Sequence, residues 1–138
     1  MTNYDVREET PSVDDYIRIR LDAGLSRKSV EAATIGLANG LFSVIAYHGI
    51  EPIGLGRVIG DGGCFFQIVD IAVVPAHQKK GVGDLIMRSL MTYLDTHGLP
   101  TAYVSLIADH GTPEFYRRYG FQIADMPKAA GMYLRIAE

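Results

Sequence analysis

Cysteine is nearly missing from this chain: Cys64 is the only one in 138 residues. No intrachain disulfide can form and no cysteine-based zinc site can be assembled. A reducing compartment is the simplest home. Excess positive charge is missing too, since 13 Lys and Arg stand against 16 Asp and Glu, a net charge of −3. General nucleic-acid binders present a basic face that displaces counterions, so no nucleic-acid partner is expected. No apolar run reaches the ~20 residues that cross a bilayer. The opening MTNYDVREETPS has no basic start followed by an apolar core and cleavage site. The expectation is a soluble, cytoplasmic protein with no membrane partner. His48, His77, His97 and His110 are scattered without metal-ligand spacing, so no metal is expected. No G-x-x-x-x-G-K-[ST] pattern is present, and Gly81-Val82-Gly83 falls short of G-x-G-x-x-G because Ile86 takes the place of the third glycine. Neither Cys64 nor any serine sits in a recognised nucleophile setting.

What is present is an ordinary globular composition, 48% hydrophobic and 21% charged, in a length that fits one domain, residues 1–138. Tyr4–Glu9 reads as a short edge strand ended by Thr10-Pro11. Ser12 and Asp15 have capping-box spacing, and Tyr16, Ile17 and Leu21 fall on nearly one face of the helix that Gly24 stops. A second helix starts at Ser26 or Ser29 and carries Val30, Ala33, Ile35 and Leu37 toward Gly40. The pair has the outline of a helix-turn-helix, but almost no basic or base-reading side chain follows Lys28. A lid or wall over a substrate is the more useful expectation.

From Leu41 the period changes. Leu41–His48, Glu51–Ile59 and Cys64–Val74 read as three successive strands joined at Gly49 and Asp61-Gly62-Gly63, an antiparallel meander. Gly54 and Gly56 inside the second of these mark a bulge or a close approach. Gln67 and Asp70 are the only polar residues of the third, and their odd separation sends them to opposite faces of a regular strand; a bulge between them and Pro75 would bring both toward one cleft, and without it one of them points to solvent or bonds locally. Val82, Ile86, Leu90 and Leu94 then repeat on one face of a long amphipathic helix, with Asp84, Arg88, Thr92 and Asp95 on another. Ala102–Ile107 should be a strand parallel to the third. Thr112 and Pro113 start a short helix ending at Gly120, followed by a strand over Phe121–Ala124, a loop over Met126–Gly131 and a final strand over Met132–Ile136. The fold class is α/β, in the α+β mixed-sheet form: an antiparallel meander followed by a β-α-β crossover, with about four helices.

The chain is organised around Phe65–Met87, where an apolar strand stops at Pro75 and Gln78-Lys79-Lys80-Gly81-Val82-Gly83 opens a helix. The first N–H groups of a helix lack intrahelical partners and carry the positive end of its dipole, so such a turn can bind phosphate. Glycine at 81 and 83 removes side chains that would hold a phosphate off the backbone, and Lys79 and Lys80 add positive charge.

VVPAHQKKGVGDLIM matches the [Q/R]-x-x-G-x-[G/A] acetyl-CoA signature of the GNAT superfamily of N-acetyltransferases, and PEFYRRYGF resembles that family's later aromatic helix ending in Gly-Phe. The resemblance spans Leu41 to the carboxy terminus and implies a GNAT-like fold with splayed central strands. It further implies that the backbone of Ile71, Ala72 and Val73 pairs with the pantetheine arm of acetyl-CoA, the co-substrate. Amides from Gln78, Lys79, Lys80, Gly81, Val82, Gly83 and Asp84 would surround its pyrophosphate. By the same resemblance Tyr116 returns a proton to the departing thiolate as general acid, a role suited to a phenol of pKa ~10. Asp109 stands near the start of the tyrosine helix where many relatives have Asn, and an ionised Asp accepts but does not donate; Thr112 takes a position often filled by Ala. Gln67 lies near a strand position that is an acidic base in some relatives, which leaves Asp70 as a weak base candidate acting through water.

The implied activity is acetyl transfer from acetyl-CoA to a primary amine by direct attack. The acceptor is expected to be a small molecule because no extended charged groove is evident. Tyr16, Arg20, Arg57 and Met132 are candidates for its pocket by approximate position. Transfer to a protein amino group, and a noncatalytic acetyl-CoA sensor acting through a protein partner, are the alternatives. The carboxy-terminal strands offer a contact for a homodimer.

Overall fold

A computed structural model of the chain describes residues 3–109, 112–124 and 130–137. It divides into two compact units, Met1–Leu106 and Ile107–Glu138.

The first unit holds a five-stranded mixed sheet in sequence order. β1 (Asp5–Glu8), β2 (Phe42–His48), β3 (Glu51–Gly60) and β4 (Phe65–Val73) are antiparallel neighbours, and β5 (Tyr103–Ser105) runs parallel to β4. The meander forms where turn chemistry predicts it. Asp61 closes the β3–β4 turn, its Oδ1 accepting from the N–H groups of Gly63, Cys64 and Phe65 at 2.9, 2.9 and 3.0 Å. Those three bonds hold the Asp61 carboxyl below its usual pKa.

Helices cover the sheet on both faces. α3 (Val82–His97) buries Val82, Ile86, Met87, Leu90 and Leu94, the stripe its period predicts. Its contact with β3 depends on glycine: a Cβ on Gly56 would lie 2.5 Å from Ile86 Cγ2, 2.9 Å from Ile71 Cδ1 and 3.2 Å from Leu90 Cδ1. Side chains alternate along a strand, so Arg57 faces away from α3, toward α1 (Val13–Asp22). Ser12 caps α1, its Oγ accepting from Asp15 N–H at 3.1 Å. α2 (Val30–Ala38) starts at the second of the two expected serines, with Ser29 Oγ accepting from Ala32 N–H at 3.1 Å.

Several expectations need correction. The buried stripe of α1 is Tyr16, Ile19 and Arg20, while Leu21 is exposed. A positive charge takes the inward position because a carboxylate meets it there. Within α2 only Ala33 and Leu37 are buried, and Val30 and Ile35 face outward. The strand expected over Ala102–Ile107 is reduced to three residues. The second unit contains α4 (Pro113–Arg117), and its described residues include no strand over Phe121–Ala124 or Met132–Ile136. β-rich sequence alone does not make a strand, which needs a partner for its backbone groups. The loop expected over Met126–Gly131 lies largely outside the described residues.

Candidate functional site

Three features of the first unit make a site, and all radiate from β4. The first is an open sheet edge. Pairing between β4 and β5 runs Phe65↔Tyr103, Phe66↔Val104 and Gln67↔Ser105 and stops there. Beyond Gln67 no described strand pairs with that side of β4, so Ile71, Ala72 and Val73 present backbone groups along a splayed edge. Such an edge accepts an extended, amide-containing ligand in the manner of an added strand.

The second feature is the turn that follows. Pro75–His77 forms one 3₁₀ turn, and Gln78 Nε2 donates to Val73 O at 2.9 Å, tying the turn to the end of β4. Lys79 and Gly81 both adopt left-handed backbone, φ +62° and +84°. Nothing lies within 4 Å of a Cβ built on Gly81, so packing does not require glycine there, while its backbone conformation does. The α3 ladder begins with Leu85 N–H on Gly81 O at 3.1 Å, and no side chain caps the helix. The N–H groups of Val82, Gly83 and Asp84 precede that first bond at the positive end of a 16-residue helix. The turn itself, Gln78 to Gly81, is exposed. Edge and turn together fit a ligand with an extended polyamide arm and a diphosphate, as acetyl-CoA has.

The third feature is a buried polar cluster on the α1 side of the sheet. The β3–β4 register slips by one residue between Leu55↔Ala72 and Arg57↔Val69, so Asp70 and Ile71 together oppose Gly56. The bulge sets Asp70 at φ +62°, uncommon for a residue with a side chain. Its carboxylate then meets three partners from three elements. Asp70 Oδ2 accepts from Tyr16 Oη at 2.8 Å and from Arg57 Nη1 at 3.0 Å, and Oδ1 accepts a short bond from Arg20 Nη1. The outer nitrogens turn to the backbone: Arg20 Nη2 donates to Ser26 O at 2.8 Å, and Arg57 Nη2 donates to Gly36 O at 2.9 Å. Burial first, and then the Asp70 charge, push the Tyr16 phenol up to about 12.

Of the candidate acceptor residues, Tyr16, Arg20 and Arg57 therefore converge, and they converge on Asp70, the base candidate. Sequence reading named all four without pairing them. The available signal was their polarity in otherwise apolar elements. Met132 belongs to the second unit and is 90% exposed. In that unit Thr112 Oγ1 donates to the backbone carbonyl of Asp109 at 2.6 Å. Tyr116 packs edge-to-face on Phe115 with centroids 5.0 Å apart. Burial, and then the Asp109 charge, raise the Tyr116 phenol above its ordinary value. An aromatic group unnoticed in the sequence lies where the β2–β3 hairpin meets the 3₁₀ turn: Tyr4 Oη and His77 Nδ1 are 2.8 Å apart, with His48 stacked at a tilt 4.8 Å from His77.

The chain is similar to known proteins in sequence and fold. The profile of the acetyltransferase (GNAT) domain matches residues 39–123. A Glycine max protein named histone acetyltransferase TAP1 is 31% identical over 99 residues, covering 67% of this chain and 42% of its own length. The Glycine max probable acetyltransferase TAP2 is 28% identical over 134 residues, covering 88% of this chain and 52% of its own. The chain thus spans about half the length of the curated relatives it matches. The crystal structure of a probable acetyltransferase from meticillin-resistant Staphylococcus aureus superposes with a TM-score of 0.91 at 43% identity, covering 97% of this chain and 100% of that one.

Proposed function

Because the chain belongs to the GNAT acetyltransferase family, we propose that it moves the acetyl group of acetyl-CoA onto a primary amine of a small molecule by direct attack. The observation that carries this reading is the uncapped start of α3, with left-handed backbone at Lys79 and Gly81, directly following a β4 edge that β5 leaves open. The reading takes residues 1–138 as one transferase domain, since the family match runs across the boundary between Leu106 and Ile107.

In this reading the backbone of Ile71, Ala72 and Val73 holds the pantetheine arm, and amides from Gln78 to Asp84, helped by Lys79 and Lys80, hold the pyrophosphate. Backbone N–H groups of the β4 edge face the acetyl oxygen and stabilise the negative charge that develops on it. The amine attacks as the neutral species, Tyr116 donates its phenolic proton to the departing sulfur as the C–S bond breaks, and the proton shed by the new amide nitrogen passes to solvent, from which the Tyr116 phenolate is reprotonated. A phenol raised above its ordinary pKa stays protonated at neutral pH and is available for that step. Asp109 supports the start of the tyrosine helix and contributes to the raised value.

Asp70 has both oxygens engaged by Tyr16, Arg20 and Arg57. We assign it the task of anchoring those side chains beside the thioester, with the acceptor's ammonium proton lost to solvent before attack. Tyr16, Arg20 and Arg57 form one wall of the acceptor site, and Met132 remains a candidate for another. The name of the soybean relative favours a second reading, transfer to a protein amino group. Thiol release from acetyl-CoA, measured with and without small primary amines and with and without lysine peptides, separates the two. Release that no amine stimulates, from protein that binds CoA, speaks instead for a noncatalytic sensor.

A further inference from the structure

The cluster at Asp70 has more positive than negative charge. Arg20 and Arg57 are each only 6% exposed, and Asp70 is the one carboxylate paired with either among the described residues. Tyr16 contributes a neutral phenol at physiological pH. Two guanidinium charges against one carboxylate leave an uncompensated charge under cover, which costs free energy unless an anion completes it.

The geometry of the two guanidinium groups agrees. An arginine binds an oxyanion bidentately through a pair of parallel N–H groups, and one such pair is Nε with Nη2. On both arginines Nη1 is spent on Asp70, and Nη2 donates to neutral oxygens, in Arg20 to Ser26 O and Oγ at 2.8 and 3.3 Å and in Arg57 to Gly36 O. Nε of each is buried and has no partner among the described residues. Each fork therefore has one prong on a weak, neutral acceptor and one on nothing. Ser26 lies in the link between α1 and α2 and is exposed, and Gly36 lies in the last turn of α2, a helix that turns Val30 and Ile35 outward. Both carbonyls must move aside before an anion can take their place. Asp70, one residue before Ile71 and held at φ +62°, anchors Nη1 of both arginines, and such backbone strain persists where surrounding structure enforces it.

We propose that Arg20 and Arg57 bind an oxyanion of the acceptor through their Nε–Nη2 edges, so that the acceptor is a small amine carrying a carboxylate or phosphate, admitted when the Ser26 and Gly36 carbonyls move aside. The proposal rests on the transferase reading for the word acceptor; the anion site itself does not need it.

The test uses the full chain and matched pairs of amines: glycine and β-alanine against their carboxamides, and phosphoethanolamine against ethanolamine. Two quantities are read, kcat/KM for CoA release and binding of each amine by calorimetry with CoA at saturation. Each anionic amine is expected to exceed its neutral partner by about tenfold or more in both, and the glycine and phosphoethanolamine arms tell carboxylate from phosphate. Arg20→Lys and Arg57→Lys keep the charge but lose the fork, and should shrink the ratio while leaving CoA affinity unchanged. Neutral amines that do as well as anionic ones overturn the proposal, as does a ratio that Arg20→Lys leaves intact. If a lysine variant does not fold, the wild-type ratios alone decide. Anionic amines that bind without being acetylated sustain the site and sink the transferase reading.

Discussion

Arg57 Nη1 donates to Asp70 Oδ2 at 3.0 Å, while Arg57 Nη2 donates to the Gly36 carbonyl in α2 at 2.9 Å. One side chain thus joins the bulge of β4 to a helix that has few inward-facing residues of its own. Arg57→Ala removes the link and leaves the Asp70 carboxylate with Arg20 as its one cationic partner. Arg20 still neutralises Asp70 in this variant, so what is lost is a buried hydrogen bond to a charged group, about 1.5–3 kcal/mol, and urea unfolding is expected to show a loss in that range. A loss below ~1 kcal/mol would show that the cluster behaves as an exposed surface pair.

Tyr16 gives a pH signature. Its phenol titrates at about 12 in the fold, against ~10 in the unfolded chain. The folded state therefore prefers the protonated form. This contribution is fully present below pH ~10 and is lost as pH rises toward 12. Tyr16→Phe should lose about 1.5–3 kcal/mol at neutral pH, the worth of a hydrogen bond to a charged group, and should flatten this component of the alkaline decline. Parallel stability curves for the two proteins between pH 9 and 11 would refute the assignment.

These features differ in how far the sequence discloses them. The meander, the α3 stripe and the Gln78–Asp84 turn are legible because each is local: a turn residue, a period or a glycine pair states its own geometry. The bulge is half legible. Two polar residues at odd separation in an apolar strand suggest it, but its place at Asp70 depends on the one-residue slip opposite Gly56. The charge cluster is not legible, because Arg20, Arg57 and Asp70 lie far apart in sequence and look like solvated side chains until the sheet register sets them together. For the same reason the helical period alone sets Leu21 on one face with Tyr16 and Ile17, while the structure buries Ile19 and Arg20 beside Tyr16. The carboxy-terminal segments are rich in β-forming residues, but strand pairing is decided by partners that such residues do not name.

Gly81 separates backbone conformation from ligand binding. Alanine there meets no neighbour within 4 Å and bears only the strain of φ +84°, about 1–2 kcal/mol. Glutamate adds a negative charge at the start of α3. CoA affinity by calorimetry should fall modestly in Gly81→Ala and by at least about tenfold more in Gly81→Glu. Equal affinities for the two variants would place the pyrophosphate elsewhere.

Tyr116→Phe keeps the ring that packs on Phe115 and removes the proton. Loss of a general acid lowers kcat by about 10²–10⁴, with little change in CoA affinity. The raised phenol pKa puts any falling limb due to this group above pH ~10 in the wild-type protein. An unchanged kcat across the accessible pH range would remove Tyr116 from the chemistry.

The central claim is that this chain transfers an acetyl group and does more than bind its donor. Acetyl-CoA labelled with ¹³C in the acetyl group, incubated with the protein and a set of small amines, puts that claim to mass spectrometry. Labelled N-acetyl product from at least one amine, formed in equal amount with free CoA and suppressed in Gly81→Glu, is the expected result. Tight, saturable CoA binding with no labelled amine or peptide product would contradict it.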